Sequence, residues 1–327
     1  MNGQLREIIA HQYPLDILEI ENYQHLWKIK TKEAVYLLKA YDKNSHHIEW
    51  IHFFNHQLAK KGFCRFPNFL ETRDKKPSFP WQGAVYVLMP MLTGRNARYS
   101  NLEDIDHVIT ILANFHHHAS FLEKTIQPPV RKIIYQKYED RLNRFIKLYK
   151  QLPYKQNRSI LDKYILLLGK EMIKYGISAL QRLDIEAIHR LQQQTMDYAI
   201  VSHRDVASHN FLIEKGKGSM IDFDLTGYEP QGIDLLQLTQ RIMVEWSWDI
   251  NLFFQIENKY NSLHSLQEAE KQLIYQLSRF PNEFFREVLG VYERPQKFKS
   301  DYVLRLLEKY VNQYQRFQQF QKEMNKL

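Results

Sequence analysis

Two textures divide the pattern of apolar and polar positions along the chain. Between about residues 15 and 92, short runs of β-branched, aromatic and aliphatic residues recur at 15–20, 26–29, 35–41 and 84–89. Turn-forming stretches such as 74–77 separate them, so these runs predict strands. One segment interrupts the strands. Between Ser45 and Lys61 the residues Ile48, Ile51, Phe54 and Leu58 recur at helical spacing, and Gly62 is placed to cap the C-terminal end. After Thr93 and Gly94 the period lengthens. Ile105, Val108, Leu112 and Phe115 form one stripe of a helix over 104–121, and further helices are predicted over 130–150, 159–175, 178–194 and 301–326. Inside this helical half, 198–201, 211–213 and 220–223 make a small island of strand signal. The expected fold is α+β and bilobal: a small β-rich N-lobe over residues 1–91 and a larger helical C-lobe over 92–327 carrying a short hairpin.

Composition narrows the class. A chain of 327 residues with 44% hydrophobic and 25% charged residues is that of a globular protein with a sizeable core, and 20 Tyr and 19 Phe predict an aromatic one. The net charge of +8 comes from scattered Lys and Arg, with no run resembling a nucleic-acid arm, so no nucleic-acid partner is expected. The longest apolar stretch, 84–92, is interrupted by Pro90 and is too short to span a membrane. The N-terminal residues carry early charges and no apolar core of a signal peptide. A single cysteine, Cys64, excludes an internal disulfide and a cysteine-based zinc cluster. A soluble, intracellular protein is therefore expected.

The chemistry concentrates in one passage. The strands at 211–213 and 220–223 flank a turn containing Gly216 and Gly218. Folded about Gly216, the hairpin would set Asn210 opposite Asp222, at about the 4.5–5.5 Å of facing residues on paired strands. An amide oxygen and a carboxylate are hard ligands that suit Mg²⁺ or Mn²⁺ carrying phosphate oxygens. Asp205, five residues before Asn210, could accept a proton from an attacking hydroxyl or orient it. Positioning and charge neutralisation of this kind are what phosphoryl transfer asks of a protein.

His203-x-Asp205-x-x-x-x-Asn210, followed by Asp222-Phe223-Asp224, resembles the catalytic and metal loops of the kinase-like superfamily that includes aminoglycoside phosphotransferases and choline kinases. The residues around that loop, the stretch 112–116 with Ser120, and 86–89 before Gly94 and Arg95 look closest to the bacterial spore-coat-associated kinase-like family, CotS and its relatives. The resemblance spans about residues 15–320 and implies an ATP- and Mg²⁺-dependent phosphotransferase acting on a hydroxyl-bearing acceptor. It implies that Asp205 is catalytic, that Asn210 and Asp222 bind metal, and that Lys39 pairs the nucleotide phosphates with Glu49 as its ion-pair partner. Met89 to Met91 would be the adenine-binding hinge, while His203, Asp224 and Asp234 support the loops. It further implies spore-coat protein partners and a location in the mother-cell cytoplasm or the coat.

Two departures keep a second class open, a kinase-fold scaffold of coat assembly with weak or no turnover. The turn near residues 21–25 that would cover the phosphates has no glycine, and the chain has none between Gly3 and Gly62. Arg204 stands where small-molecule kinases often carry Gly. With only nine residues between Asp224 and Asp234 there is no long activation loop to meet it, so a local structural partner is expected. Blander readings are preferred elsewhere. The consecutive His116, His117 and His118 point about 100° apart on a helix and cannot share one ion, so one buried and two surface histidines are expected. Cys64 is expected as a buried filler, and Trp246 and Trp248 as packing residues.

Overall fold

The computed structural model describes residues 2–41, 45–129 and 132–327. Strands β1 (Ile17–Tyr23), β2 (Leu26–Thr31), β3 (Val35–Tyr41), β4 (Phe79–Trp81) and β5 (Ala84–Pro90) form an antiparallel sheet in the order β1-β2-β3-β5-β4. Helix α1 (Asn2–Gln12), which the strand-dominated pattern did not predict, lies against this sheet. Its Leu5 and Ile9, with Tyr13, bury against Ile17, Ile29, Leu38, Phe79 and Leu88 in a small core of their own.

Helix α2 (Ser45–Lys60) turns the predicted stripe of Ile48, Ile51, Phe54 and Leu58 inward. These residues join the large core of the helical half rather than that of the sheet. Phe54 packs edge-on against Phe115, centroids 6.1 Å apart, and also lies 6.1 Å from Phe223. The helix that follows β3 is thus anchored to the helical half by aromatic packing.

The remaining chain is the expected mixed α+β arrangement, a helical mass with small strand pairs. It comprises β6 (Arg95–Asn96), α3 (Leu102–His118), α4 (Ile134–Gln151), α5 (Ile160–Gln181), α6 (Ile185–Asp197), β7 (Val201–Ser202), β8 (Phe211–Glu214), β9 (Lys217–Met220) and β10 (Gly227–Tyr228). Helices α7 (Gly232–Glu245), α8 (Ile250–Leu263), α9 (Glu268–Ser278), α10 (Asn282–Glu293), α11 (Ser300–Asn312) and α12 (Tyr314–Met324) complete it. Asn101 caps α3 by accepting from the Asp104 amide, and Ser159 with Asp162 forms a capping box on α5.

Several boundaries differ from expectation: α3 ends at His118 rather than 121, β7 is 201–202 rather than 198–201, and β9 ends at Met220 rather than 223. Residues 130 and 131, where a helix was predicted to begin, lie outside the described residues, and α4 starts at Ile134. The predicted break between 175 and 178 is absent. Gly176 stays inside α5, where a Cβ would come within 3.1 Å of both Leu142 and Phe285, so its smallness serves helix packing rather than a turn. The break falls instead at Asp184, which caps α6 by accepting from the Ala187 amide. The predicted C-terminal helix is two, because Gln313 at φ −118° leaves the helical region between α11 and α12.

Candidate active site

The loop between β7 and β8 is hung from α7. Asp234, fully buried in the first turn of α7, accepts from the amides of His203 (2.6 Å) and Arg204 (2.8 Å). Its Oδ2 also lies 3.0 Å from His116 Nε2, and His116 Nδ1 is 2.5 Å from the Tyr260 hydroxyl. Burial alone would raise the Asp234 carboxyl, but the His116 hydrogen bond and the loop amides hold it below the usual carboxylate range. His203 is itself buried. Its ring packs 5.0 Å from Phe223, its Nε2 lies 3.1 Å from the Ile221 carbonyl, and its Nδ1 accepts from the Asp205 amide. Of the three consecutive histidines, His116 is buried, His118 half-buried and His117 exposed.

Arg204 explains why glycine is common at its position elsewhere. It sits at φ 69°, in the left-handed region that costs an ordinary residue about 1–2 kcal/mol. Its Nε lies 3.0 Å from Glu229, a buried carboxylate that also meets Lys137 at 3.0 Å. Removing one partner of such a buried pair costs about 3–5 kcal/mol, more than the backbone strain. Here Arg204 therefore has the local partner that the short 224–234 connection predicts.

Asp205 projects from this loop with its Oδ1 3.3 Å from the Nη2 of Arg241. Asn210, 1% exposed, donates from Nδ2 to the Asp205 carbonyl at 2.9 Å. The hairpin register corrects the expected pairing of Asn210 with Asp222. Phe211 faces Met220 and Glu214 faces Lys217, so Asn210 stands opposite Ile221, whose amide donates to the Asn210 carbonyl. The turn is Lys215–Gly216, one residue shorter than a loop centred on Gly216. Asp222 has left the ladder at φ 65°, ψ 65°, a conformation that Asp tolerates better than most residues.

This turn of backbone sends Asp222 toward the sheet. Lys39 Nζ, on β3, lies 2.8 Å from Asp222 Oδ1 and 2.7 Å from Asp224 Oδ2, and Tyr41 donates to Asp224 Oδ1 at 2.6 Å. Burial would lower the Lys39 ammonium, but Asp224 and Asp222 raise it above its ordinary value, so it is charged. Burial would likewise raise Asp222, and Lys39 brings it below the usual range. Burial and Asp224 push the Tyr41 phenol far up, leaving it a donor.

Two expected sheet-side residues stand elsewhere. Glu49 is exposed on α2 and, among the described residues, makes no ion pair with Lys39, whose partners are Asp222 and Asp224. Met91 spends its amide on the Val35 carbonyl at 2.9 Å, continuing the β3–β5 ladder, so that N–H is not open to adenine. Met89 is a paired strand residue opposite Leu37, and Pro90 has no N–H. Leu92 carries the next amide. Cys64 is exposed, not a buried filler. Trp248 is buried against Tyr310 and Phe317, as a packing role predicts, and Trp246 donates to the Tyr99 carbonyl.

Tyr41 and Arg241 were not singled out by sequence reasoning, although a signal existed for each. Tyr41 is two residues from Lys39 and so shares its face of β3. Arg241 is seven residues after Asp234, on the same side of α7.

Residues 6–168 match the family described as "Spore coat putative kinase YutH". The chain is 20% identical over 311 residues to Spore coat protein S of Bacillus subtilis (strain 168), covering 90% of this chain and 86% of that protein. Over these spans the chain is similar to spore-coat kinase-like proteins. Among solved structures it resembles the aminoglycoside phosphotransferase of Alicyclobacillus acidocaldarius at a TM-score of 0.83 and 17% identity, over 98% of this chain and 95% of that one. It also resembles the spectinomycin phosphotransferase APH(9)-Ia, solved with ADP and spectinomycin, at 0.66 and 14%, over 94% and 93%. The fold of the chain is therefore that of the kinase-like phosphotransferases. The family match ends before the 203–224 loops, whereas the structural likeness runs through them. Among the described residues no helix is long and apolar enough to cross a membrane.

Proposed function

We propose that the chain is a phosphotransferase that takes ATP with Mg²⁺ and passes the γ-phosphate to a hydroxyl of an acceptor molecule. The observation that carries this reading is the meeting of Lys39 with Asp222 and Asp224 across the cleft, beside the loop that presents Asp205 and Asn210. An ammonium between two carboxylates is a place built for cations and the phosphates they carry. The donor set suits a hard ion, since Asp222 offers a carboxylate and the Asn210 amide has its Nδ2 already spent on Asp205, leaving Oδ1 for a metal. When bound, such an ion neutralises charge on the phosphate oxygens.

Lys39 then exchanges its carboxylate partners for phosphate oxygens. Asp205 orients the acceptor hydroxyl and takes its proton as that oxygen bonds to phosphorus, while ADP leaves with the electron pair of the broken bond. Arg241 holds the Asp205 carboxylate in place. The complex of the spectinomycin phosphotransferase with ADP and its antibiotic supports nucleotide and small-molecule acceptor as ligand classes. The likeness to Spore coat protein S supports a place in the mother-cell cytoplasm or the coat, with coat proteins as partners.

A second reading, a coat scaffold with the same fold, is favoured by the Met91 amide lost to Val35 and by the glycine-free turn at Gln24 and His25. A thermal-shift titration with Mg-ATP on the wild type and on Asp222→Ala separates the two. At a hundredfold excess over Kd, binding to the native state adds about 2.7 kcal/mol. The phosphotransferase reading expects a metal-dependent rise that the variant loses. No rise at millimolar nucleotide would move the assignment to the scaffold.

A further inference from the structure

Away from the cleft, the outer side of α2 carries a set of ligands that the phosphotransfer reading does not use. His52 and His56 are four residues apart and therefore one above the other on the helix. Their rings meet edge-on with centroids 4.5 Å apart. Glu71, from the segment between α2 and β4, reaches both: its Oε1 lies 3.8 Å from His52 Nε2 and 3.9 Å from His56 Nε2. The three ligand atoms all lie within 4.8 Å of one another. We infer that His52, His56 and Glu71 form a binding site for a borderline transition-metal ion of the Zn²⁺ class, with a fourth position left to water.

The chemistry selects that class. Two imidazole nitrogens and one carboxylate match zinc and its first-row neighbours, whereas Mg²⁺ prefers an all-oxygen shell. Bonds of about 2.0–2.2 Å in a tetrahedron set ligand atoms about 3.3 Å apart. Closing from 3.8 and 3.9 Å is a matter of side-chain rotation, and the three groups have room for it: His56 is 50% exposed and Glu71 38%. His52 is more enclosed. The competing cation, Lys75, approaches Glu71 only to 3.9 Å and is 84% exposed, so it holds the carboxylate weakly.

The site is placed to matter beyond its own loop. Phe54 lies about 200° round the helix from both histidines and packs against Phe115 and Phe223. An ion on the outer face would tie α2 to the chain leading into β4 and β5, and so steady the helix whose inner face supports the residue beside Asp222. The inference does not depend on nucleotide binding.

The test is calorimetric titration of the full untagged chain with ZnCl₂ in buffer containing MgCl₂, on the wild type, His56→Ala and Glu71→Gln. One Zn²⁺ per chain is expected, unaffected by Mg²⁺. Each variant should lose at least about a hundredfold in affinity, since even supporting groups around a metal cost about 10–100-fold. The Zn²⁺-induced rise in Tm should vanish with it. Both substitutions alter exposed groups, so the variants should fold, and their Tm without zinc checks this. Equal binding by wild type and both variants would place the ion elsewhere and overturn the inference. Absence of a Zn²⁺ event in the wild type would overturn it as well.

Discussion

On the helical side of the cleft, the 203–210 loop hangs from Asp234, is backed by His116 and Tyr260, and is buttressed by the Arg204–Glu229–Lys137 group. On the sheet side, the turn between β1 and β2 is Gln24–His25 with no glycine, and the Met91 amide is committed to Val35. Glu49 faces solvent, and Lys39 rests on the carboxylates of the opposite wall. The wall that would handle the acceptor hydroxyl is heavily cross-braced, whereas the wall that would grip the nucleotide contributes one lysine. Retention of a positioned Asp205 beside a modest nucleotide grip is what weak nucleotide affinity with preserved transfer chemistry would require.

The comparison breaks most visibly at Asp205. If the helical wall exists for chemistry, Asp205→Ala should lower turnover by about 10²–10⁴-fold, the usual contribution of a positioned base, and leave Tm within a degree or two. Phosphate release from Mg-ATP with a panel of hydroxyl acceptors measures it. An unchanged rate in the variant would mean that any turnover seen does not use this loop.

Next comes the brace. Asp234→Ala strands two loop amides and the buried His116, and should cost about 3–5 kcal/mol of stability by denaturant unfolding. Lys39→Ala removes a largely enclosed ammonium from two carboxylates that are themselves partly exposed, at 42% and 29%, and should cost less stability than the fully buried brace. A reversal of that order would mean that the sheet wall, not the helical wall, holds the cleft together.

These weights were partly legible in the sequence. The 203–224 residue types and their spacings located the loop, because a carboxylate, an amide and a second carboxylate at those intervals have few other uses. The helical stripe of α2 was likewise a local signal. What stayed hidden was set by register and long-range pairing. A one-residue shift in the β8–β9 turn moves Asp222 out of the ladder and toward Lys39, and no local pattern distinguishes a turn of two residues there from one of three. The exposure of Glu49 and the spent Met91 amide depend on how β3 meets its neighbours in space. The grouping of His52 and His56 with Glu71 arises only through the fold.

A smaller effect sharpens the comparison at the joint between the walls. Asp104 in α3 holds Arg95 of β6 by two contacts of 2.6 Å and accepts from the Arg98 amide at 2.9 Å. The Arg95 hydrogen bonds bring its pKa down to about 2. A depressed folded-state pKa contributes stability that is complete above the ordinary carboxylate value, about 3.9, and fades as pH falls through the folded value. Asp104→Asn should therefore melt a few degrees below the wild type at pH 7, with the gap closing between about pH 4 and pH 2. A gap that persists at pH 2 would assign the effect to packing rather than to charge.

The smallest change asks whether the sheet wall's weakness lies in its turn. Gln24 occupies the left-handed region at φ 56° in the two-residue connection between β1 and β2. Gln24→Gly removes a strain of about 1 kcal/mol and clears the side chain from the place where backbone amides would approach phosphates. The expected gain in Tm is about 2 °C. The telling quantity is the Mg-ATP affinity. Were it to rise severalfold, the glycine-free turn would be the limiting departure and the two walls would differ by one residue. If Tm rises and affinity does not, the limit lies at the hinge, where the Met91 amide is already taken, and the sheet wall's departure is built into the β3–β5 pairing itself.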